Sequence, residues 1–158
     1  SRHPLARALA AAAAEPAPAR VAKPAAPPPP PGETPEQAEA RKKAEDAAKK
    51  EAERLEKEDG LQVEVLDLRT LLPMDDEAIM ASVRKTNRVL IAHEDTRTGG
   101  VAGEITARIN DQAFEWLDAP VRRVTAHDVP LPYAPTLEDF VLPQTDDLVV
   151  AARWLAAY

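Results

Sequence analysis

The chain has 158 residues, with 16 prolines, no cysteine and a formal net charge of −7 at pH 7. The lack of cysteine excludes disulfides, thiolate–zinc sites, iron–sulfur clusters and a cysteine nucleophile. An acidic chain without a basic stripe is a poor ligand for nucleic acid, and its apolar runs are shorter than the roughly 18 residues that span a bilayer. We therefore expect neither nucleic acid nor a membrane as a partner.

Residues 1–33 are rich in alanine and proline and end in PAAPPPPPG. Proline lacks a backbone donor and fixes φ, so this composition predicts a disordered, extended linker. An alternative is that Pro27 to Pro31 act as a polyproline ligand for an aromatic groove. The arginines near Ser1 leave a transit peptide as a second alternative.

Residues 34–59 predict one long, charged helix. Thr34 and Gln37 stand at capping-box spacing, Pro35 occupies the first helical position and Gly60 follows the end. Lysine and glutamate alternate at spacings of three and four, which favours a solvated spacer helix, with a weak coiled coil as the alternative.

Residues 60–158 have globular character, with strand-like and helix-like patterns in alternation. The predicted elements are a strand over Val63–Leu68, a helix over residues 75–86 with Asp75 as its cap, a buried strand over residues 88–94, a helix from Val101 to near Leu117, a strand over residues 121–126, a proline-rich loop, and a last helix from Thr145. Such alternation predicts a three-layer α/β/α domain with a mainly parallel sheet.

One strand ends in three titratable residues, His93, Glu94 and Asp95, shortly before Arg97. Strand ends line the crevice where α/β sheets bind ligands, so an acid–base site is conceivable there. A nucleophile or metal partner is missing nearby in sequence, and Thr98 stands where a dinucleotide fingerprint needs its first glycine. We therefore predict a strand-end or subunit-interface role for His93, Glu94 and Arg97, and no catalytic, cofactor-binding or metal-binding residue.

Four blocks occur in order: VEVLDLRTLLPMDDEAI, HEDTRTGG, LDAPVRRVT and PYAPTLEDFVLPQ. Together they resemble the C-terminal domain of transketolase-like enzymes. The resemblance is strongest to the beta subunit of the decarboxylating component of pyruvate and branched-chain 2-oxoacid dehydrogenases, and it covers about two-thirds of the chain.

The resemblance implies thiamine diphosphate and magnesium in the complete enzyme, held between the alpha subunit and the N-terminal domain of the beta subunit. Those catalytic blocks are missing from this sequence. The chain is therefore expected to bind no cofactor by itself and to be inactive alone.

The resemblance also implies partners: the alpha subunit, a second beta subunit, and the subunit-binding domain of the lipoyl acyltransferase. The acceptor positions that match are Asp118, Trp154 and Tyr158. A carboxylate beside exposed aromatic rings suits a basic partner. The alternative is that Trp154 and Tyr158 simply close the core under the last helix.

The chain departs from the family upstream, where the first strand of the domain is replaced by the linker and the charged helix. We expect this loss to expose a sheet edge and apolar surface around Val63, Val65, Val89 and Ile91, and to favour association with a partner or with itself.

Three other interpretations stay open: a subunit tethered by its linker, a stand-alone α/β interaction or ligand-binding module, and a truncated remnant or fragment. The expected location is the cytoplasm of a bacterium, with the mitochondrial matrix as the alternative.

Overall fold

The computed structural model describes residues 34–158, apart from the side chains of five residues near the start of the first helix. The expectations for residues 1–33, both the disordered linker and the polyproline ligand, fall outside the described residues. The elements in chain order are α1 (Pro35–Asp59), α2 (Asp76–Thr86), β1 (Leu90–Thr96), α3 (Val101–Ala113), a 3-10 turn (Phe114–Trp116), β2 (Arg122–Ala126), α4 (Pro135–Val141) and α5 (Thr145–Ala157).

β1 and β2 form a parallel pair in which Leu90 lies opposite Arg122 and His93 opposite Thr125. α3 connects them, as a parallel pair requires a crossover. Helices α2 and α3 cover one face of the pair, and α1 and α5 cover the other. The predicted α/β fold with helices on both sides of a parallel sheet is confirmed.

Alternate residues of β1 point to opposite faces of the sheet and enter two separate cores. Ile91 packs among α2 and α3 together with Ile109, which is fully buried. Leu90 packs on the other face with Leu55 of α1 and Leu155 of α5. The end of α1 is thus part of the folded unit, and Arg153 of α5 ties it down further through ion pairs to the last two residues of the helix.

The segment Val63–Leu68, predicted as a strand, is not assigned to a sheet. Its side chains do alternate: Leu66 and Leu68 pack against the α2–α3 core and Val63 against the α1–α5 core. A strand also needs a neighbouring strand, and none of residues 61–70 is in a strand or bridge of the structure. The strand prediction is therefore wrong.

The expected exposure around the missing strand is wrong for Val89 and Ile91, which are 1% and 4% exposed because α2 and α3 cover them. Val63 and Val65 are half-buried.

Two further boundaries differ from prediction. α3 ends at Ala113 and tightens into the 3-10 turn, and the proline-rich loop contains α4, which begins with Pro135 at its first position.

Candidate docking surface

The three residues predicted to dock a partner lie on one side of the molecule. Asp118 and Tyr158 line the same open depression of about 500 Å³, and the ring centroids of Trp154 and Tyr158 are 5.3 Å apart. Trp154 is 41% exposed and Tyr158 62% exposed, whereas Leu155 between them is fully buried. The core-closing alternative for the two aromatic residues is therefore wrong, because α5 turns other side chains inward.

Two more side chains belong to this surface. Phe114 is 70% exposed and lines the depression, and the guanidinium carbon of Arg122 lies 4.9 Å from the centre of the Trp154 ring. We call the group the Asp118 surface; it consists of Phe114, Asp118, Arg122, Trp154 and Tyr158. A cation over an aromatic face is attracted by the ring quadrupole, so Arg122 restrains Trp154 in an exposed position.

Asn87, which the sequence analysis did not single out, positions the chain around Asp118. It ends α2 in the left-handed conformation with φ of 60°. Its side-chain amide donates to the Trp116 carbonyl over 2.7 Å, and its own carbonyl accepts from the Asp118 backbone N–H over 2.8 Å. Asparagine tolerates this conformation better than most residues, and that preference is the only local signal for its role.

A buried cation lies beneath the same surface. Arg88 is 5% exposed and donates to the carbonyl of Ala156 at the end of α5 over 3.2 Å. Burial lowers the pKa of Arg88, and the negative charge of Asp118 opposes that shift. Asp118 thus offsets part of the cost of burying Arg88 while its own side chain stays open to solvent.

The predicted strand-end residues separate into different roles. His93 Nε2 lies 3.3 Å from the Ala102 backbone nitrogen and Nδ1 lies 3.1 Å from that of Asp95. A neutral imidazole has one lone-pair nitrogen, so only one of these contacts can be a hydrogen bond at a time. The N-cap of α3, Gly100, has no side chain to accept from the first turn, and the tautomer of His93 with its lone pair on Nε2 supplies that acceptor from the neighbouring strand.

Glu94 is exposed, and the carbonyl of Arg97 accepts a long hydrogen bond of 3.4 Å from Arg123. The turn that follows β1 is fixed instead by Asp128. Its carboxylate accepts from the backbone N–H of Thr98 over 2.8 Å and from the Thr98 hydroxyl over 2.7 Å. These bonds lower the pKa of Asp128. The strand end therefore has the contacts of a structural turn.

Thiamine diphosphate with magnesium requires a cation held by gathered oxygen ligands. Across residues 34–158 no group of three or more His, Asp or Glu side chains is placed to hold a metal ion. The described part of the chain does not provide such a site. Within the same residues, no helix is both long and apolar enough to cross a membrane.

The fold and the sequence blocks agree with one known family. The family described as "Transketolase, C-terminal domain" matches residues 44–148. The chain belongs to that family.

Relatives of this transketolase C-terminal domain are beta subunits. It is 45% identical to "Pyruvate dehydrogenase E1 component subunit beta-2, mitochondrial" of Oryza sativa subsp. japonica, over 60% of this chain and 25% of the relative. It is 44% identical to "2-oxoisovalerate dehydrogenase subunit beta" of Bacillus subtilis (strain 168), over 68% of this chain and 33% of the relative. The chain thus spans about a quarter to a third of the length of these relatives.

A solved structure described as "Split gene transketolase, inactive beta4 tetramer" has a TM-score of 0.58 to this transketolase C-terminal domain and 26% sequence identity. The match covers 71% of this chain and 35% of that one. The domain therefore recurs both in dehydrogenase beta subunits and in a split transketolase.

Proposed function

We propose that this chain is an assembly and docking domain of the 2-oxoacid dehydrogenase beta-subunit type. Its partner at the Asp118 surface is the subunit-binding domain of a lipoyl acyltransferase. The observation that carries the proposal is the convergence of Asp118 with Trp154 and Tyr158, which are nearly 40 residues away along the chain, on one exposed surface. Binding sites that combine aromatic anchors with a charged rim suit a partner of opposite charge.

The chain is inactive by itself under this proposal, because its match covers only 25% and 33% of the length of those relatives. Decarboxylation of pyruvate or a branched-chain 2-oxoacid would need an alpha subunit, the remaining part of a beta subunit and their thiamine diphosphate and magnesium. A second beta subunit is the further expected partner.

We propose the cytoplasm of a bacterium as the location, which the bacterial source of the Bacillus subtilis relative favours. The mitochondrial matrix is the alternative, which the name of the rice relative favours.

The test is calorimetric titration of the full chain with a peripheral subunit-binding domain. Asp118→Asn keeps the shape of the side chain and removes its charge, so we expect affinity to fall by about tenfold or more, since a charged contact inside an interface is lost. Asp111→Asn is the matched control, because Asp111 is an exposed acid on α3 outside the depression and the net charge changes equally. The affinity of the Asp111→Asn chain for the subunit-binding domain should equal that of the parent chain.

Salt gives a second readout, because the charged contact weakens as the Debye length shortens. The affinity of the parent chain should fall as salt rises, and the Asp118→Asn chain should show a shallower dependence. No binding by a chain that unfolds cooperatively, or equal losses in both variants, would contradict the proposal.

A further inference from the structure

The segment from Asn87 to Val89 leads from α2 into β1 and is bonded to two parts of the Asp118 surface. The carbonyl of Asn87 accepts from the backbone N–H of Asp118 over 2.8 Å, and the carbonyl of Val89 accepts from that of Arg122 over 2.9 Å. Both bonds join backbone to backbone, so they hold these two parts of the surface whatever side chains the segment carries.

The third part of the surface, the end of α5, is held by a side chain. Arg88 donates from Nη1 to the carbonyl of Ala156 over 3.2 Å. Ala156 lies between Trp154 and Tyr158, the two aromatic residues that α5 contributes to the surface. Its carbonyl is one of the last four of the helix, which have no partner within the helix. Arg88 therefore caps α5 from a position 68 residues earlier in the chain.

The cation of Arg88 is costly to bury. Arg88 is 5% exposed, and its Nε has no hydrogen-bond partner among the described residues. Two negative groups offset part of this cost: the carboxylate of Asp118 and the end of α5, where unpaired carbonyls carry partial negative charge. An apolar side chain of similar length would fill the same space without the cost. The cation is therefore better explained by what it holds in place than by its contribution to stability.

We propose that Arg88 is a positioning residue for docking, which holds Trp154 and Tyr158 at the distance from Asp118 that the partner requires. The inference rests on the proposed function, because the partner is the subunit-binding domain that contacts the Asp118 surface. Arg88 itself is buried beneath that surface and acts through the end of α5. Without its bond, the last turn of the helix loses its cap and frays.

A purely electrostatic role of Arg88 predicts the opposite effect on affinity. A second cation beside Asp118 repels a basic partner, so removing Arg88 would strengthen docking if its charge were all that mattered. If Arg88 positions α5, its removal weakens docking although the surface becomes more acidic. The sign of the change in affinity therefore separates the two roles.

The test is calorimetric titration of the full chain and its Arg88→Met variant with a peripheral subunit-binding domain. Methionine keeps much of the length of the side chain and removes its charge and donors, so the variant should retain cooperative unfolding in urea. Its affinity should be at least about tenfold lower than that of the parent, since a charged hydrogen bond is lost and the aromatic anchors move. Lys50→Met is the control, because Lys50 is exposed on α1 outside the depression and the net charge changes equally. The Lys50→Met chain should bind like the parent.

Two further measurements separate the effect on the helix from the effect on docking. Arg88→Lys retains the charge and a donor without the planar fork, so its affinity should lie between those of Arg88→Met and the parent. The same variant decides the question if Arg88→Met does not unfold cooperatively. Amide hydrogen exchange in Arg88→Met should be faster in the last turn of α5 and unchanged at Val149, because the cap restrains only the end of the helix.

The outcomes distinguish this inference from the proposed function. If the parent binds and Arg88→Met binds equally or more tightly, the role of Arg88 is overturned and the proposed function stands. Equal losses in Arg88→Met and Lys50→Met would also overturn it, because net charge would then explain both. A folded parent chain that does not bind would overturn the proposed function and the docking role together. Unchanged exchange in the last turn of α5 would show that Arg88 does not hold that turn, whatever the parent binds.

Discussion

His93 joins the end of β1 to the first turn of α3, and the contact depends on a neutral imidazole. Burial lowers the pKa of His93 below the ordinary 6.5, Asp95 opposes that shift, and Arg123 adds to it. Protonation would make both ring nitrogens donors, so that neither could accept from the backbone N–H of Ala102 or of Asp95. The histidine therefore stabilises the fold in its uncharged form.

The free energy of unfolding should consequently decrease in mild acid. The unfolded chain takes up the proton near pH 6.5 and the folded chain only at lower pH. The contribution of His93 is thus complete above pH 6.5 and is lost as the pH falls through 6.5 towards the folded pKa. Urea titrations between pH 7.5 and 5 should show this slope, and His93→Gln should reduce it.

His127→Gln is the control for this experiment, because His127 stacks on Phe140 with ring centroids 5.5 Å apart and the variant retains His93. A His127→Gln chain that lost the slope equally would show that the pH dependence does not originate at His93.

Substitution by alanine should change the stability of the chain in opposite directions at Gly100 and Gly103, which lie at the N-terminal end of α3. A Cβ at Gly100 would overlap the Thr96 carbonyl oxygen and lie 2.7 Å from His93 Cε1, whereas a Cβ at Gly103 would meet only Arg123 Nη1 at 3.7 Å. Gly100→Ala should lower the free energy of unfolding by about 2 kcal/mol or more through overpacking. Gly103→Ala should raise it by about 0.5–1 kcal/mol through helix propensity.

Chemical denaturation of the two variants beside the parent measures both values. A tolerated Gly100→Ala would show that the contact between β1 and α3 is looser than the structure indicates.

At the scale of elements, Asn87 is the junction between α2 and the turn that carries Trp116 and Asp118. Its conformation and its side-chain bond can be separated by substitution. Asn87→Gly keeps the left-handed geometry and removes the bond to the Trp116 carbonyl, while Asn87→Ala removes the bond and adds conformational strain of about 1 kcal/mol.

We expect Asn87→Ala to be less stable than Asn87→Gly by that amount in urea titrations. Both variants should weaken docking at the Asp118 surface, because the chain around Asp118 loses a restraint. Equal stability of the two variants would mean that the left-handed conformation is not maintained in solution.

The order of elements could be predicted because helix and strand periodicity is local. The Asp75 cap of α2, for example, accepts from the Ala78 backbone N–H over 2.9 Å. The prediction of a strand over Val63–Leu68 was wrong because strand formation is not local. The side chains do alternate, but a strand also needs a neighbouring strand, and the local sequence does not show whether one is present. α4 was overlooked although Pro135 at its first position was a usable signal.

The candidate docking surface and the end of β1 likewise contain some residues that could be predicted and some contacts that could not. Asp118, Trp154 and Tyr158 came from the resemblance to a family, and their exposure could not follow from helix periodicity alone. The cap that His93 provides to α3, and the bond from Asp128 to Thr98, join residues distant in sequence. Such contacts depend on tertiary geometry, so no local sequence pattern predicts them.

At the scale of the whole molecule, residues 129–140 present an exposed apolar patch. Tyr133 is fully exposed, Phe140 is 74% exposed, and Leu131 and Leu137 are each more than half exposed. Patches of this kind usually mark sites of association.

Sedimentation velocity should therefore show concentration-dependent association of the purified chain. The double variant Tyr133→Ser, Leu137→Ser should shift the population towards monomer, because the contact loses most of its apolar area. Leu72→Ser, at a position 90% exposed outside the patch, is the control and should leave the association unchanged. A monomeric parent chain at all concentrations would contradict the prediction.

The chain has two tryptophans, Trp116 and Trp154, and each is 41% exposed. Trp154 belongs to the Asp118 surface, and neither indole is part of the two cores. Occupation of the Asp118 surface should therefore move the emission to shorter wavelength. Unfolding, which exposes both indoles fully, should move it to longer wavelength, so intrinsic fluorescence distinguishes docking from loss of the fold.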